Sequence, residues 1–144
     1  MSRNKTAARG LVGDSLARID GIPKATGRFA YGSDLSAEGM LWGVALRSPH
    51  ASARMRSVDT AAARRAPGVA TVLLAADLPG KKTFGLEISD QPVLAGGVVR
   101  YEGEPVALVA AEHLEEAYAA AHLIEVDYEP LPVVADMEAA MTPG

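Results

Sequence analysis

The sequence predicts an α+β (mixed α/β) fold, with one mixed sheet and two or three helices. Three apolar runs of strand length, residues 40–47, 69–75 and 105–111, are typical of strands buried in a sheet. Residues 114–123 have the 3.6-residue period of a helix, and residues 124–129 alternate apolar and acidic side chains as a half-buried strand does. Strands alternate both with helices and with plain turns, so the pattern does not form a strict βαβ series.

Composition limits the classes of function. The chain has 144 residues, the size of one domain, and its net charge of -4 argues against a nucleic-acid partner, because such a surface is basic. It contains no cysteine, which excludes disulfides, thiolate zinc sites, a cysteine nucleophile and an iron–sulfur cluster held by this chain. No apolar run approaches the length of a membrane span, and no signal-peptide core follows the N-terminus. We therefore expect a cytoplasmic protein without a membrane partner.

The first residues predict a disordered tail, residues 1–11, followed by one domain over residues 12–144. Gly13-Asp14-Ser15-Leu16 has the letters of a serine esterase motif. Such a serine needs a preceding buried strand and a histidine from an Asp-x-x-His segment, and the sequence predicts neither. A loop in which Asp14 or Ser15 makes a local turn is favoured.

Residues 22–36 look irregular, with Pro23, Gly27 and Gly32 as breaks. Lys24 and Arg28 flank Thr26-Gly27 and could bind an anion, although a solvated turn is favoured. The apolar run of residues 40–47 then predicts a strand buried on both faces, on which we expect the fold to be centred. It ends at Ser48-Pro49, because proline favours a strand end or a turn.

After the corner His50-Ala51-Ser52, residues 53–58 predict a second strand with Arg54 and Arg56 on one side, where they could pair with carboxylates of a partner. A short helix over residues 60–66 is capped by Asp59 or Thr60 and stopped by Pro67-Gly68. Residues 69–75 and 98–101 predict further strands, while residues 77–82 form a loop and residues 83–91 show no clear period.

The strongest later elements follow Glu104. Pro105 begins a buried strand that ends at residue 111. The helix over residues 114–123 places one apolar side chain per turn on a common face. The next strand is apolar on one side and acidic on the other, and Asp136 caps a last short helix that ends at residue 141. The apolar face of the helix consists of Leu114, Ala117, Tyr118 and Ala121, and the two sides of the strand consist of Ile124, Val126 and Tyr128 and of Glu125, Asp127 and Glu129.

No self-sufficient active site emerges from these residues. None of the three histidines, His50, His113 and His122, has a carboxylate or a second histidine at ligand spacing. A structural role for His50, hydrogen-bonded to a turn carbonyl, is favoured over a catalytic one. Ser48 and Ser52 flank it without the signs of a buried nucleophile.

Two further patterns bear on ligand binding. The acidic side of residues 125–129 could bind a cation, but a solvated strand face is favoured. No Gly-x-Gly occurs, so no usual phosphate loop is present. We predict no catalytic, cofactor-binding or metal-binding residue on this chain.

Five motifs in order carry a family resemblance: residues 18–28, 41–69, 91–95, 99–107 and 126–132. Among them are Lys24-Ala25-Thr26-Gly27-Arg28 and Tyr101-Glu102-Gly103-Glu104-Pro105. Together they resemble the N-terminal hammerhead domain of the molybdenum hydroxylases, the xanthine dehydrogenase and aldehyde oxidase family. The resemblance extends from Val12 to the end and is closest to bacterial xanthine dehydrogenase.

This resemblance implies a packing module of the molybdopterin-binding subunit. In the family, the molybdopterin contacts and the catalytic glutamate come from regions after this domain. Electrons leave through [2Fe-2S] clusters and FAD on other domains or subunits. The expected function is therefore a structural and assembly role in the hydroxylation of purines such as hypoxanthine and xanthine, with oxygen from water. The expected partners are the remainder of the subunit and the iron–sulfur and FAD subunits or domains. A stand-alone, non-catalytic interaction module with the same fold is the alternative.

Overall fold

A computed structural model describes residues 17–142 of the chain, which divides into two compact units, one up to Glu38 and one from Gly39. The predicted tail, residues 1–11, and the Gly13-Asp14-Ser15-Leu16 segment lie outside the described residues. The predicted extent of the domain, 12–144, stays a prediction.

The first unit holds a short helix that the sequence did not predict. Helix α1 (Gly21–Ala25) is followed by a 3₁₀ turn (Gly32–Asp34). Pro23 does not break α1, because it stands in the first turn, where a backbone N–H has no acceptor within the helix. Thr26 ends α1, and its hydroxyl donates to the carbonyl of Ile22 at 2.8 Å. The predicted irregular stretch is therefore more regular than its proline and glycines indicate.

The second unit contains all the strands in the described part of the chain. They are β1 (Trp42–Arg47), β2 (Ala53–Asp59), β3 (Val69–Leu74), β4 (Thr83–Phe84), β5 (Gln91–Pro92), β6 (Val98–Val99), β7 (Pro105–Ala111) and β8 (Glu125–Pro130). The helices of this unit are α2 (Ala61–Arg64), α3 (Leu114–Ala121) and α4 (Met137–Met141). The α+β class predicted from the sequence is confirmed.

The strands divide among three sheets, where the sequence predicted one mixed sheet. The first sheet has the order β1-β7-β3, the second the order β6-β2-β8, and β4 and β5 form a two-stranded hairpin. Every strand pair is antiparallel. β1 and β2, which are separated only by the corner of residues 48–52, fall in different sheets instead of pairing as a hairpin.

β7, and not β1, is the centre of the first sheet. β7 pairs with β1 on one side and β3 on the other, and Val106, Ala107, Val109 and Ala111 are buried. β1 is an edge strand on which only Val44 is buried, and Trp42 is 42% exposed. The prediction of a doubly buried central strand at residues 40–47 was wrong, because an apolar run does not distinguish a central strand from an apolar edge.

Helix α3 packs across the first sheet and closes the main core. Its buried residues are Ala117, Ala120 and Ala121, which let the helix backbone approach the strands closely. Tyr118, which the period placed on the buried face, is 55% exposed. Ala117, Ala120 and Ala121 define the buried face, and Tyr118 lies at its margin, about 100° round the helix from Ala117.

The second sheet has its own smaller core and shares residues with the first. Ala53, Ala95, Val99 and Val106 form this cluster, and Val58 and Val126 pack against both clusters. β8 follows the predicted alternation, with Ile124, Val126 and Tyr128 turned inward. The predicted cap of the last helix is confirmed, because the Asp136 carboxylate accepts from Ala139 N at 2.7 Å. The N-cap of α2 is Thr60, whose side chain makes no cap hydrogen bond, and the preceding Asp59 carboxylate accepts from Ala61 N at 2.8 Å.

Candidate functional site

The corner after β1 is fixed by the side chain of Ser48. Its hydroxyl oxygen accepts from the backbone N–H of His50 at 3.0 Å and donates to the carbonyl of His50 at 3.2 Å. Ser48 is 3% exposed, so its hydroxyl is occupied within the corner rather than available as a nucleophile. Ser52, the other flanking serine, contributes its carbonyl to a hydrogen bond from Leu131 N at 2.9 Å.

The corner is joined to the turn that precedes β7. Ser48 N donates to the carbonyl of Glu104 at 2.9 Å, and Gly103 N donates to the carbonyl of Ser48 at 2.8 Å. The Arg47 guanidinium adds a third bond, to the carbonyl of Gly103 at 2.8 Å. Gly103 has a φ of +88°, a backbone conformation that glycine adopts without strain. Two of the sequence motifs, around residues 48–50 and 101–105, are therefore joined by these hydrogen bonds.

Glu104 provides a buried carboxyl group in the turn before β7. It is 1% exposed, and its Oε2 accepts from the backbone N–H of Arg100 at 2.5 Å. The Arg100 guanidinium lies 3.8 Å from Oε1 as an ion pair, while Oε1 has no hydrogen-bond partner among residues 17–142. A buried carboxylate is costly unless it is paired, so this contact holds the turn closed. Sequence reasoning missed this residue, because a glutamate between glycine and proline looks like an ordinary turn residue.

The side chain of His50 makes an aromatic contact, in addition to the hydrogen bonds of its backbone with Ser48. The imidazole lies against the ring of Tyr128, with centroids 4.8 Å apart and planes tilted by 60°. The expected hydrogen bond from His50 to a turn carbonyl is not found among the described residues, whereas a structural role through stacking is present. Burial raises the pKa of the Tyr128 phenol above its usual value, and the neighbouring Ser48 hydroxyl partly opposes this rise.

An open apolar groove lies beside this stack, between the end of β1 and the inner side of β8. Its volume is about 400 Å³, and it is lined by Leu46, Arg47, Pro49, Ile124, Val126 and Tyr128. We call these six residues the β1–β8 groove. Its walls come from strands far apart in the sequence, so no local pattern predicts it.

The acidic side of β8 is partly neutralised by β2. Arg56 Nε lies 3.3 Å and Arg54 Nε 3.8 Å from Glu129 Oε2. The hydrogen bond and charge of Arg56, with a smaller contribution from Arg54, lower the pKa of Glu129 below its usual value. The two arginines were predicted to pair with carboxylates of a partner, and the structure shows that they pair within the chain. The exposed positions of Glu125 and Asp127 agree with the favoured solvated face.

The remaining candidate residues do not converge. His113 and His122 are exposed at the two ends of α3. Lys24 pairs with Asp20 at 2.5 Å and lies over the Phe29 ring at 4.6 Å, which agrees with a structural turn rather than an anion site. Arg28 is exposed. Within residues 17–142, no cluster of histidine, aspartate or glutamate could hold a metal ion. None of the helices in that range is both long and apolar enough to cross a membrane.

Comparison with known proteins identifies the fold. The family model described as "Aldehyde oxidase and xanthine dehydrogenase, a/b hammerhead domain" matches residues 26–132. The crystal structure of quinoline 2-oxidoreductase from Pseudomonas putida 86 superposes with a TM-score of 0.81 at 40% identity, covering 92% of this chain and 18% of that chain. The chain belongs to the aldehyde oxidase and xanthine dehydrogenase family and has its hammerhead fold, as the resemblance implied.

Two curated relatives show how the chain relates to whole enzymes. A probable xanthine dehydrogenase subunit of Bacillus subtilis (strain 168) is 46% identical over 130 residues, which is 90% of this chain and 17% of the relative. The carbon monoxide dehydrogenase large chain of Afipia carboxidovorans is 41% identical over 134 residues, which is 88% of this chain and 16% of the relative. The chain therefore spans less than a fifth of the length of these two relatives.

Proposed function

We propose that this chain is the hammerhead domain of the molybdopterin-binding subunit of a xanthine-dehydrogenase-like molybdenum hydroxylase. Its role is structural: it packs against the rest of the subunit and supports assembly. The 46% identity with a probable xanthine dehydrogenase subunit over nine-tenths of the chain is the observation that carries this proposal. The hydrogen-bonded corner at Ser48 and the open groove beside it support a packing role.

The sequence does not fit one cofactor of such an enzyme, the iron–sulfur clusters. An iron–sulfur cluster needs cysteine thiolates, and the sequence has no cysteine. The described residues offer no group of ligands for a metal ion. We therefore propose that the molybdopterin-molybdenum, the [2Fe-2S] clusters and the FAD bind to the remainder of the subunit and to iron–sulfur and FAD subunits or domains, which are the partners of this chain.

We propose purines such as hypoxanthine and xanthine as substrates, hydroxylated with oxygen from water. The choice rests on the higher identity to the xanthine dehydrogenase relative, 46%, than to the carbon monoxide dehydrogenase relative, 41%. The cytoplasmic location predicted from the sequence stays a prediction.

Co-purification from the native source tests these proposals together. We expect a tagged copy of this chain to isolate with molybdenum, iron and flavin, and the isolate to oxidise hypoxanthine and xanthine but not carbon monoxide. Oxidation of carbon monoxide instead would overturn the substrate while leaving the assembly role. A chain that isolates without molybdenum, iron or flavin would overturn the assembly role and favour the stand-alone interaction module.

A further inference from the structure

The edge of the first sheet at β1 is built differently from the opposite edge at β3. Among residues 17–142, β1 pairs only with β7, so alternate backbone N–H and C=O groups of β1 face away from the sheet. Soluble proteins usually protect such an edge with charges, proline, a bulge or a covering element. From Trp42 to Leu46 the strand carries no charge and no proline, and its one irregularity lies at its end, between Leu46 and Arg47.

The edge of β3 is interrupted near its start, whereas that of β1 is regular up to Leu46. The register of β3 shifts between Val69 and Thr71, and each of the two edge strands packs against a helix, β3 against α2 and β1 against α3. The large side chains of β3 are buried or half-buried, and the exposed residue of the strand is Ala70. By contrast, the start of β1 and the two residues before it carry exposed apolar side chains: Met40, Leu41 and Trp42 are 42%, 43% and 42% exposed.

The other end of the β1 edge opens into the β1–β8 groove. Leu46 and Pro49 form one wall, and Ile124, Val126 and Tyr128 form the other. A row of free backbone donors and acceptors that runs into an apolar groove suits one kind of ligand, an extended polypeptide. Its main chain can continue the sheet while its alternate side chains enter the groove. A small molecule would leave most of the edge unpaired.

We propose that β1 is extended by a strand from the remainder of the large subunit, which pairs with the free edge and places apolar side chains in the β1–β8 groove. This rests on the proposed function, which supplies the occupant: more than four-fifths of the B. subtilis relative lies outside the segment that this chain matches. The added strand covers Met40, Leu41 and Trp42 and makes β1 an interior strand. The chain would then be joined to the subunit by main-chain pairing as well as by side-chain packing.

Hydrogen exchange tests the pairing directly. The exchange of β1 amides is compared between the isolated chain and the full assembly from its native source, with β3 as the internal control. We expect the β1 amides to exchange at least about tenfold more slowly in the assembly than in the isolated chain. The exchange of the β3 amides should change much less. A molybdenum-containing assembly in which β1 exchanges as in the isolated chain would overturn the pairing and leave the proposed function standing. Recovery of the chain without any assembly would instead overturn the proposed function.

The same experiment distinguishes two other segments that could cover the β1 edge. Equal, slow exchange of β1 in both samples would show that this chain covers its own edge. Slowing that depends on the concentration of the isolated chain would assign the edge to a second copy. Either result overturns the proposal.

A pair of variants gives a second measurement. Trp42→Lys places a charge on the edge strand β1, and Tyr118→Lys replaces another exposed aromatic side chain, on α3, with the same charge. We expect Trp42→Lys to reduce the yield of molybdenum-containing assembly about tenfold and Tyr118→Lys to leave it within about twofold, because edge charges oppose strand addition. Equal yields from the two variants would contradict the proposal.

Discussion

The contact between the Ser48 corner and the turn before β7 depends on one residue, Glu104. Its carboxylate accepts the Arg100 N–H inside the protein, and Glu104→Ala removes that acceptor and leaves a cavity. We expect Glu104→Ala to lower the free energy of unfolding by about 2–4 kcal/mol. Glu104→Gln keeps an oxygen for the Arg100 N–H and loses only the ion pair with the exposed guanidinium, so we expect a loss of about 1 kcal/mol or less. Urea titration of both variants measures this, and equal losses would show that the charge, not the hydrogen bond, matters.

Glu129 offers a test by pH, because its pKa is held low chiefly by Arg56. A carboxyl whose pKa is lower in the folded than in the unfolded state stabilises the fold above its unfolded pKa. That stabilisation is lost as the pH falls through the folded pKa. We expect Arg56→Gln to raise the pKa of Glu129, followed by NMR of the carboxyl carbon, and to weaken this acid dependence. Arg65→Gln, an exposed arginine at the end of α2, is the control and leaves the Glu129 pKa unchanged.

At the scale of elements, the edge position of β1 changes what a core substitution there costs. Leu46 is half-buried, whereas Val109 on β7 is 0% exposed. We expect Leu46→Ala to cost about 1–2 kcal/mol, below the range of about 2–5 kcal/mol for a fully buried leucine. Val109→Ala removes fewer carbons, yet we expect it to cost at least as much, about 2 kcal/mol, because its site is closed. A larger loss for Leu46→Ala than for Val109→Ala in urea titrations would show that Leu46 is packed more tightly than its edge position indicates.

The elements that the sequence predicts well are those whose pattern is local. The alternation of Val126, Asp127 and Tyr128 defines β8, and the Asp136 side chain marks the start of α4. The predictions are wrong where tertiary packing determines which side chains are buried. The apolar residues of α3 are compatible with more than one buried face, and only packing against the sheet shows that Ala120 is buried and Tyr118 exposed.

The functional surface is less predictable than the fold, because it is formed by distant segments. Leu46 and Tyr128 lie in different sheets, and the groove between them exists only once both sheets are in place. Glu104 could have been suspected from one fact alone: a carboxylate directly before the buried strand β7 must find a partner if it is drawn into the core. In the Ser48 corner the histidine is the more conspicuous residue in the sequence, but the serine hydroxyl sets the geometry.

At the scale of the whole molecule, exposed apolar side chains are the feature that a free chain would reveal. The β4–β5 hairpin carries Phe84, Leu86 and Ile88, which are 51%, 106% and 72% exposed, around an open depression of about 590 Å³. Exposed apolar surface of this kind marks interfaces and binds hydrophobic dyes. We therefore expect the isolated chain to bind such a dye and to associate with itself, and the full assembly to do neither.

The contribution of the β4–β5 hairpin to dye binding and self-association can be distinguished from an effect of unfolding. The double variant Leu86→Lys, Ile88→Lys removes two exposed apolar side chains that lie outside both core clusters. We expect it to reduce dye fluorescence and self-association by about half or more without moving the urea midpoint, since exposed substitutions rarely change stability by more than about 0.5 kcal/mol. Ser36→Lys, at an exposed polar position, adds a charge without removing apolar surface and should change neither property. If the double variant and this control bind the dye equally, the hairpin is not an interface, and the apolar surface that attracts the dye lies elsewhere on the chain.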